Sequence, residues 1–233
     1  MPAFPDRALA LVLLLAALLL AGRGWLADHP QHNPYAPLDL SHPRGWATAG
    51  KLDALRGDPA ACQAVLAASG VAFAPLEPAG EGECRRDDRL RLTGPLLAPG
   101  APEMTCATAA GLLLWLRHDL QPAAQARFDQ EIATIEQLGT YSCRRLYGAS
   151  EGAWSEHATG NAIDVAGFVL ADGQRISLLR DWDGDGAEAA FLRDARDGAC
   201  DSFGTVLSPD YNAAHADHFH LDQGRSPRFP VCR

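Results

Sequence analysis

The sequence predicts an α+β domain with a mainly antiparallel sheet and flanking helices. Three observations lead there. From Gly45 onward helical and strand-like stretches intermix without a regular βαβ repeat. Several apolar runs are short and end in turn residues, as AIDVAGFVL does before ADGQ. Hydrophobic residues make up 47% and charged residues 21%, which sets aside disorder, collagen and coiled coil for the chain as a whole.

The 233 residues allow one domain or two small ones. Residues 1–26 are unlike the rest. Ala8–Ala21 reads ALALVLLLAALLLA, with Arg7 before it and Gly22-Arg23 behind. A bilayer crossing takes about 20 apolar residues and an export signal about 7–15, so the run has the length of a signal. No clean pair of small residues marks a cleavage site, and Arg23 and Trp25 suit a membrane interface. Two readings follow, a removed signal or a retained N-terminal anchor. Both export the domain to the periplasm or cell envelope, the second tethering it to the inner membrane. Residues 27–44 carry four prolines and three histidines without periodicity and read as a linker. Residues 45–233 form the domain, large enough for a single core.

Within it, Asp58-Pro59 supplies an N-cap and a proline at the first helical position, opening a helix that stops at Gly70. Residues 71–76 suit a strand, 77–88 a loop, and the RLRLT of Arg89–Thr93 a half-buried strand. Residues 104–120 form the strongest helical stretch. Residues 133–144, ATIEQLGTYSCR, are read as a strand. Residues 162–170 are a strand that turns through ADGQ into RISLL. A helix over 187–200 and strands at 204–207 and 218–222 follow.

The formal net charge of −9 repels phosphates and argues against a nucleic-acid partner. Six cysteines stand at 62, 84, 106, 143, 200 and 232, with no CxxC to support a thiolate zinc site. In an exported chain they are expected to pair. Closure of short loops favours Cys62 with Cys84, Cys106 with Cys143 and Cys200 with Cys232.

Two segments carry chemistry. One is Ser155–Asp164, SEHATGNAID; the other is His215–His220, HADHFH. A hydrolytic zinc site needs three protein ligands and an open position, and takes neutral imidazole and carboxylate well. His157 precedes a strand, Gly160 permits a tight turn, and Asp164 lies on the strand, so the turn can fold His157 back beside it. His218 and His220 share a strand face. Read from spacing alone, the alternative is a pair of surface-strand histidines with no role. Asp181–Gly186, DWDGDG, matches the first half of a calcium loop. Leu192 stands where a bidentate glutamate is required, so a polar turn is expected.

SEHATGNAID resembles the SxHxxGxAxD motif of the LAS-type zinc peptidases, a group that includes D-alanyl-D-alanine carboxypeptidases, murein endopeptidases and the hedgehog signalling domain. HADHFH resembles their closing HxH motif. From about Pro37 the chain is similar to the bacterial extensin-like C-terminal family, through YSCRR, RDW, FGTVLSPDYNA and HADHFHLD. The resemblance implies a LAS/hedgehog-type scaffold with His157, Asp164 and His220 as zinc ligands. It implies His218 as general base or transition-state stabiliser, and His215 matches a further site histidine. Asp217 stands where the carboxypeptidase branch has a glutamate, one methylene longer, so the base lies between His218 and Asp217. Arg144 and Arg145 are candidates to stabilise a developing oxyanion. As neighbours on a strand they face opposite ways, and Arg144 shares a face with Ser142. Ser155 either binds near the metal or caps the turn. The expected function is zinc-dependent cleavage of peptide stems or cross-links in peptidoglycan. The alternative is a non-catalytic, zinc-stabilised module that binds wall peptide or a protein.

Overall fold

The structure, a computed structural model, describes residues 5–233. Helix α1 (Pro5–Asp28) runs past Arg23 and Trp25 without a break. Its 24 residues span about 36 Å at 1.5 Å each, and it is long and apolar enough to cross a membrane. Leu9 to Leu20 lie exposed along it, which fits a signal or an anchor and not a core helix. Residues 30–44, expected as a linker, are instead docked on the domain. Leu38 and Leu40 are buried. Leu40 N–H donates to Ser69 Oγ (3.1 Å), and its carbonyl accepts from His118 Nε2 (3.0 Å). Arg44 reaches Asp119, the Asp201 carbonyl (2.8 Å) and Ser202 Oγ (2.7 Å). Two leucines with a place in the core outweigh the solvating tendency of the four prolines.

Helix α2 (Thr48–Leu55) precedes α3 (Pro59–Ala68), whose N-cap Asp58 accepts from Ala61 N–H at 2.9 Å, as the Asp-Pro pair predicts. Strands β1 (Phe73–Pro75), β2 (Leu90–Leu92), β3 (Leu97–Ala98) and β4 (Glu103–Met104) are short. Helix α4 (Cys106–Trp115) then passes through a π-helical turn at Leu116–Leu120 into α5 (Gln121–Phe128). Helical structure thus continues beyond the expected end at residue 120. The widened turn sits just ahead of Pro122, where a missing N–H and a bulky ring conflict with regular α geometry.

The remaining elements are β5 (Ile132–Gly139), β6 (Ala162–Leu170), β7 (Arg175–Ser177), α6 (Leu178–Asp181), α7 (Ala187–Ala199), β8 (Thr205–Leu207), β9 (Phe219–Asp222) and β10 (Val231–Cys232). Seven strands form the main sheet in the order β10-β8-β9-β6-β5-β3, with β7 also on β6; β1, β2 and β4 form a smaller one. The fold is mixed α/β, but the main sheet corrects the expected strand arrangement: it is a mixed sheet. β5, β6, β7, β8 and β9 pair antiparallel, whereas both edge pairings, β3 with β5 and β10 with β8, are parallel. Those edges are two-residue strands delivered by loops, which no periodicity announces.

β6 organises the domain. Glu136 pairs with Gly167 and Gln137 with Val165, so Ala166 is the extra residue of a bulge. The bulge keeps Ile163, Val165 and Phe168 all in the core while Asp164 takes the other face. Fully buried Trp115 sits against Phe168, Phe203 and Phe219 in edge-on contacts of 5.8–6.5 Å, and its Nε1 donates to the Ala195 carbonyl (2.7 Å). Helix α4 is thereby fixed to one face of the sheet.

All six cysteines are bonded, as Cys62–Cys106, Cys84–Cys143 and Cys200–Cys232. Only the last agrees with nearest-neighbour pairing. Packing of α3 beside α4 places Cys62 and Cys106 6.0 Å apart at Cα, and tertiary packing of this kind overrides loop entropy. The disulfides and the apolar N-terminal helix fit an extracytoplasmic location. Of the Asp181–Gly186 segment, Trp182–Gly186 is a turn between α6 and α7. Asp181 belongs to α6, and its carboxylate accepts Ser177 N–H at 2.7 Å.

Candidate metal centre

Three local features bring three donor atoms together. Asp164 and His220 are direct partners across the antiparallel β6–β9 pair, which places their side chains side by side on one face. His157 arrives on a 3₁₀ turn, Glu156–Thr159, immediately before β6. Ser155 caps this turn by accepting His157 N–H (3.3 Å), and Gly160 ends it at φ +72°, a conformation glycine adopts without a Cβ penalty. His157 Nε2, Asp164 Oδ1 and His220 Nδ1 then lie 3.0–3.1 Å from one another.

The outer nitrogens decide what those inner atoms are. His157 Nδ1 donates to the Thr140 carbonyl (3.1 Å), and His220 Nε2 donates to the Asp222 carboxylate (3.0 Å). Neither acceptor can supply a proton in return. Both rings are thereby fixed in the tautomer whose lone pair points inward, toward Asp164. Three acceptors facing one another repel unless a cation lies between them. Their spacing is close to the edge of a tetrahedral site with bonds of about 2.0 Å, roughly 3.3 Å. The donor set of two imidazoles and one carboxylate, each imidazole braced from behind, fits a divalent transition metal such as zinc.

Without a metal the cluster holds a proton. Burial lowers the His220 pKa, but hydrogen bonds to Asp164 and Asp222 outweigh it and raise it to about 9. Burial likewise pushes Asp164 up, and its bonds with His157 and His220 outweigh that and hold it well below the usual carboxylate range. Asp222 is the residue sequence reasoning missed. It stands two positions after His220 on β9, on the same strand face, a signal that strand alternation offers and that was not drawn on. Asp222→Asn, with its carbonyl oxygen still able to accept from His220, is expected to weaken metal binding 10–100-fold without unfolding the domain. Competition against a chromophoric chelator measures this.

The cluster opens into a cavity of about 150 Å³ lined also by Arg144, Ser155, Tyr147, His215 and His218. His218 Nε2 lies 3.6 Å from Asp164 Oδ1, while its Nδ1 bonds Asp217 Oδ1 at 2.7 Å. Asp217 is thus placed behind His218 and does not line the cavity. His215 Nδ1 donates to Asn212 Oδ1 (2.8 Å), which also accepts Ala214 N–H (3.0 Å). Burial and the neighbouring His218 and His220 lower the His215 pKa to about 4, so this ring is neutral at pH 7.

The expectation that residues 133–144 form one strand is corrected. β5 ends at Gly139 (φ +136°), and the chain then curls so that Ser142 N–H donates to the His157 carbonyl (3.0 Å). The two arginines nevertheless separate. Arg144 lines the cavity, whereas Arg145 stacks on Trp154 (4.5 Å) and bonds the Gly152 carbonyl. Tyr147 at φ +55° and Tyr211 stand at the rim, and Asn212 Nδ2 approaches the Tyr147 hydroxyl at 3.4 Å. Tyr211 and Asn212 lie within the FGTVLSPDYNA stretch, without a role read for either, and no sequence pattern marked Tyr147.

Residues 60–233 match the family described as the extensin-like protein C-terminus. No curated protein and no solved structure matches the chain.

Proposed function

The chain belongs to the family of the extensin-like protein C-terminus, and from that premise we propose that it is a zinc-dependent peptidase of the bacterial envelope, acting on the peptide stems or cross-links of peptidoglycan. One observation carries the reading: the inward lone pairs of His157 and His220 converge with Asp164 at the mouth of a cavity. The likeness of SEHATGNAID and HADHFH to the motifs of LAS-type zinc peptidases supports the same reading.

His157, Asp164 and His220 would hold the ion. When bound, zinc lowers the pKa of a water molecule to about 7 and polarises the scissile carbonyl. The protein's own groups do the rest. Asp217 accepts the His218 Nδ1 proton and so fixes the tautomer with a lone pair at Nε2, which faces the cluster. His218 Nε2 takes the proton of the attacking water and returns it to the leaving amine. Asp217 orients the base and is not itself the base. Arg144, on the cavity wall, offers positive charge to the oxyanion that develops on the carbonyl. His215 stays neutral and positioned by Asn212, a hydrogen-bonding wall of the same cavity.

His218→Ala is expected to retain one zinc per chain and to lose hydrolysis by 10²–10⁴-fold, the usual contribution of a positioned acid–base group. Digestion of purified peptidoglycan, with mass analysis of the released fragments, tests the whole proposal. Stoichiometric zinc without new fragments would favour the non-catalytic binding module; full activity in His218→Ala would remove His218 from the mechanism.

A further inference from the structure

Beside the metal cavity runs a second, larger groove of about 640 Å³, sharing Tyr147 and His220 with it. Trp154 and Tyr211 form apolar walls, and Arg225 and Arg233 stand along it. Several arginines elsewhere on the domain are held by carboxylates: Arg86 and Arg89 by Glu103, Arg127 by Asp194, Arg175 by Glu136. Arg225 and Arg233 have no such partner among the described residues, although both are exposed in a chain of net charge −9.

Two acidic side chains, Glu156 and Asp222, line the same groove. Glu156 accepts from Asn161 Nδ2 (2.7 Å). Asp222 accepts from His220 Nε2 (3.0 Å) and from Gly224 N–H (2.8 Å). Internal donors bond both oxygens of Asp222 and one of Glu156, and neither carboxylate pairs with Arg225 or Arg233, whose guanidiniums are left to solvent. Planar guanidiniums with free donor edges are suited to bidentate carboxylate binding. Aromatic walls suit the backbone of an extended peptide. A groove of this kind, opening beside His220, lies where the part of a peptide flanking the reacting bond would rest.

We propose that this groove is a subsite for acidic peptides, with Arg225 and Arg233 binding free carboxylates next to the metal cluster. It deepens the peptidase reading by naming the substrate class, and it rests on that reading only for the cleavage that follows binding. Stems whose carboxylates are free are then preferred over amidated ones.

Fluorescence anisotropy tests this with the full chain in detergent, stripped of metal by a chelator so that nothing is cleaved. The probes are a fluorescein-labelled synthetic tetrapeptide with two free carboxylates and the same peptide with both amidated. The native chain is expected to prefer the dicarboxylate by about tenfold or more, a preference that fades with salt. Replacing both arginines, Arg225→Gln with Arg233→Gln, removes the preference; Arg225→Lys with Arg233→Lys keeps most of it. Equal binding of the two probes by the native chain overturns the proposal, as does a glutamine pair that still discriminates. Zinc is then restored and cleavage read separately. Charge-selective binding without cleavage sinks the peptidase and leaves the subsite standing; cleavage blind to charge does the reverse.

Discussion

Asp164→Ala is expected to purify without bound zinc, with a zinc affinity more than a hundredfold below that of the native chain. Losing a partner behind a ligand already costs 10–100-fold, and Asp164 is itself the anionic member of the cluster, touching both His157 and His220. Metal content after dialysis and chelator competition measure the loss. The native protein should show a defined pH dependence that the variant lacks. Zinc needs a neutral His220, whose pKa in the metal-free chain is raised to about 9. Below that, loading releases a proton, and apparent affinity rises about tenfold per pH unit toward pH 9. Stability of the metal-free domain follows the same groups with signs set by their shifts. His220 lies above its ordinary value of 6.5, so its contribution is complete below pH 6.5 and is lost as the pH rises through about 9. Asp164 lies below its ordinary 3.8, so its contribution is present above that pH and is lost as the pH falls through the depressed value. Asp164→Ala flattens both limbs: urea unfolding between pH 6 and 10 reads the basic one, and the acid one shows only below pH 3.8. A variant that keeps one zinc per chain would remove Asp164 from the ligand set.

Breaking the Cys84–Cys143 bridge, with both residues changed to alanine, is expected to damage stability and the site together. The bridge spans 59 residues of sequence, worth about 4 kcal/mol in the chain-entropy account. For a domain of this size that lowers the melting temperature by about 10 °C. Cys143 also lies three residues after Thr140, whose carbonyl braces His157, and next to Arg144 on the cavity wall. Freed from the 3₁₀ turn Gly82–Cys84, this segment no longer holds both in place. The control is Cys62–Cys106, which joins α3 to α4 away from the cavity. Removing it should cost comparable stability and leave zinc affinity unchanged. Equal effects of both removals on zinc would show that the bridges act on the site only through global stability.

How much of this was legible in the sequence depends on how local the deciding physics is. β6 was readable to its ends because an apolar run bounded by Gly160-Asn161 and ADGQ has few alternatives. The Asp58 cap was readable because it involves four consecutive residues. The cluster of His157, Asp164 and His220 was readable from motif and strand alternation, and the cross-strand register brings those residues together. The disulfide partners were not, since they are chosen by which helices lie side by side. The curl after Gly139 was not, because Thr134–Leu138 keeps strand propensity and only a hydrogen bond from Ser142 to a distant turn ends the pattern. The π turn before Pro122 was hidden for a related reason: proline argues for a helix end, and here the buried Leu120 and Ala124 hold the segment helical regardless. Asp217 against His218 was undecidable from spacing, because adjacent residues differ only in which way each side chain points.

The docked segment between α1 and the domain sets a reach. Freely extended, residues 27–44 would let an anchored domain sweep a zone of about 60 Å from the bilayer. Held instead by Leu38, Leu40, Arg44 and the Lys51 bond to the Pro30 carbonyl, that slack is gone. With α1 retained in the membrane, the cleft would work at one height, as a tool on a fixed mount, and on the proposed reading would meet only the wall layer at that level.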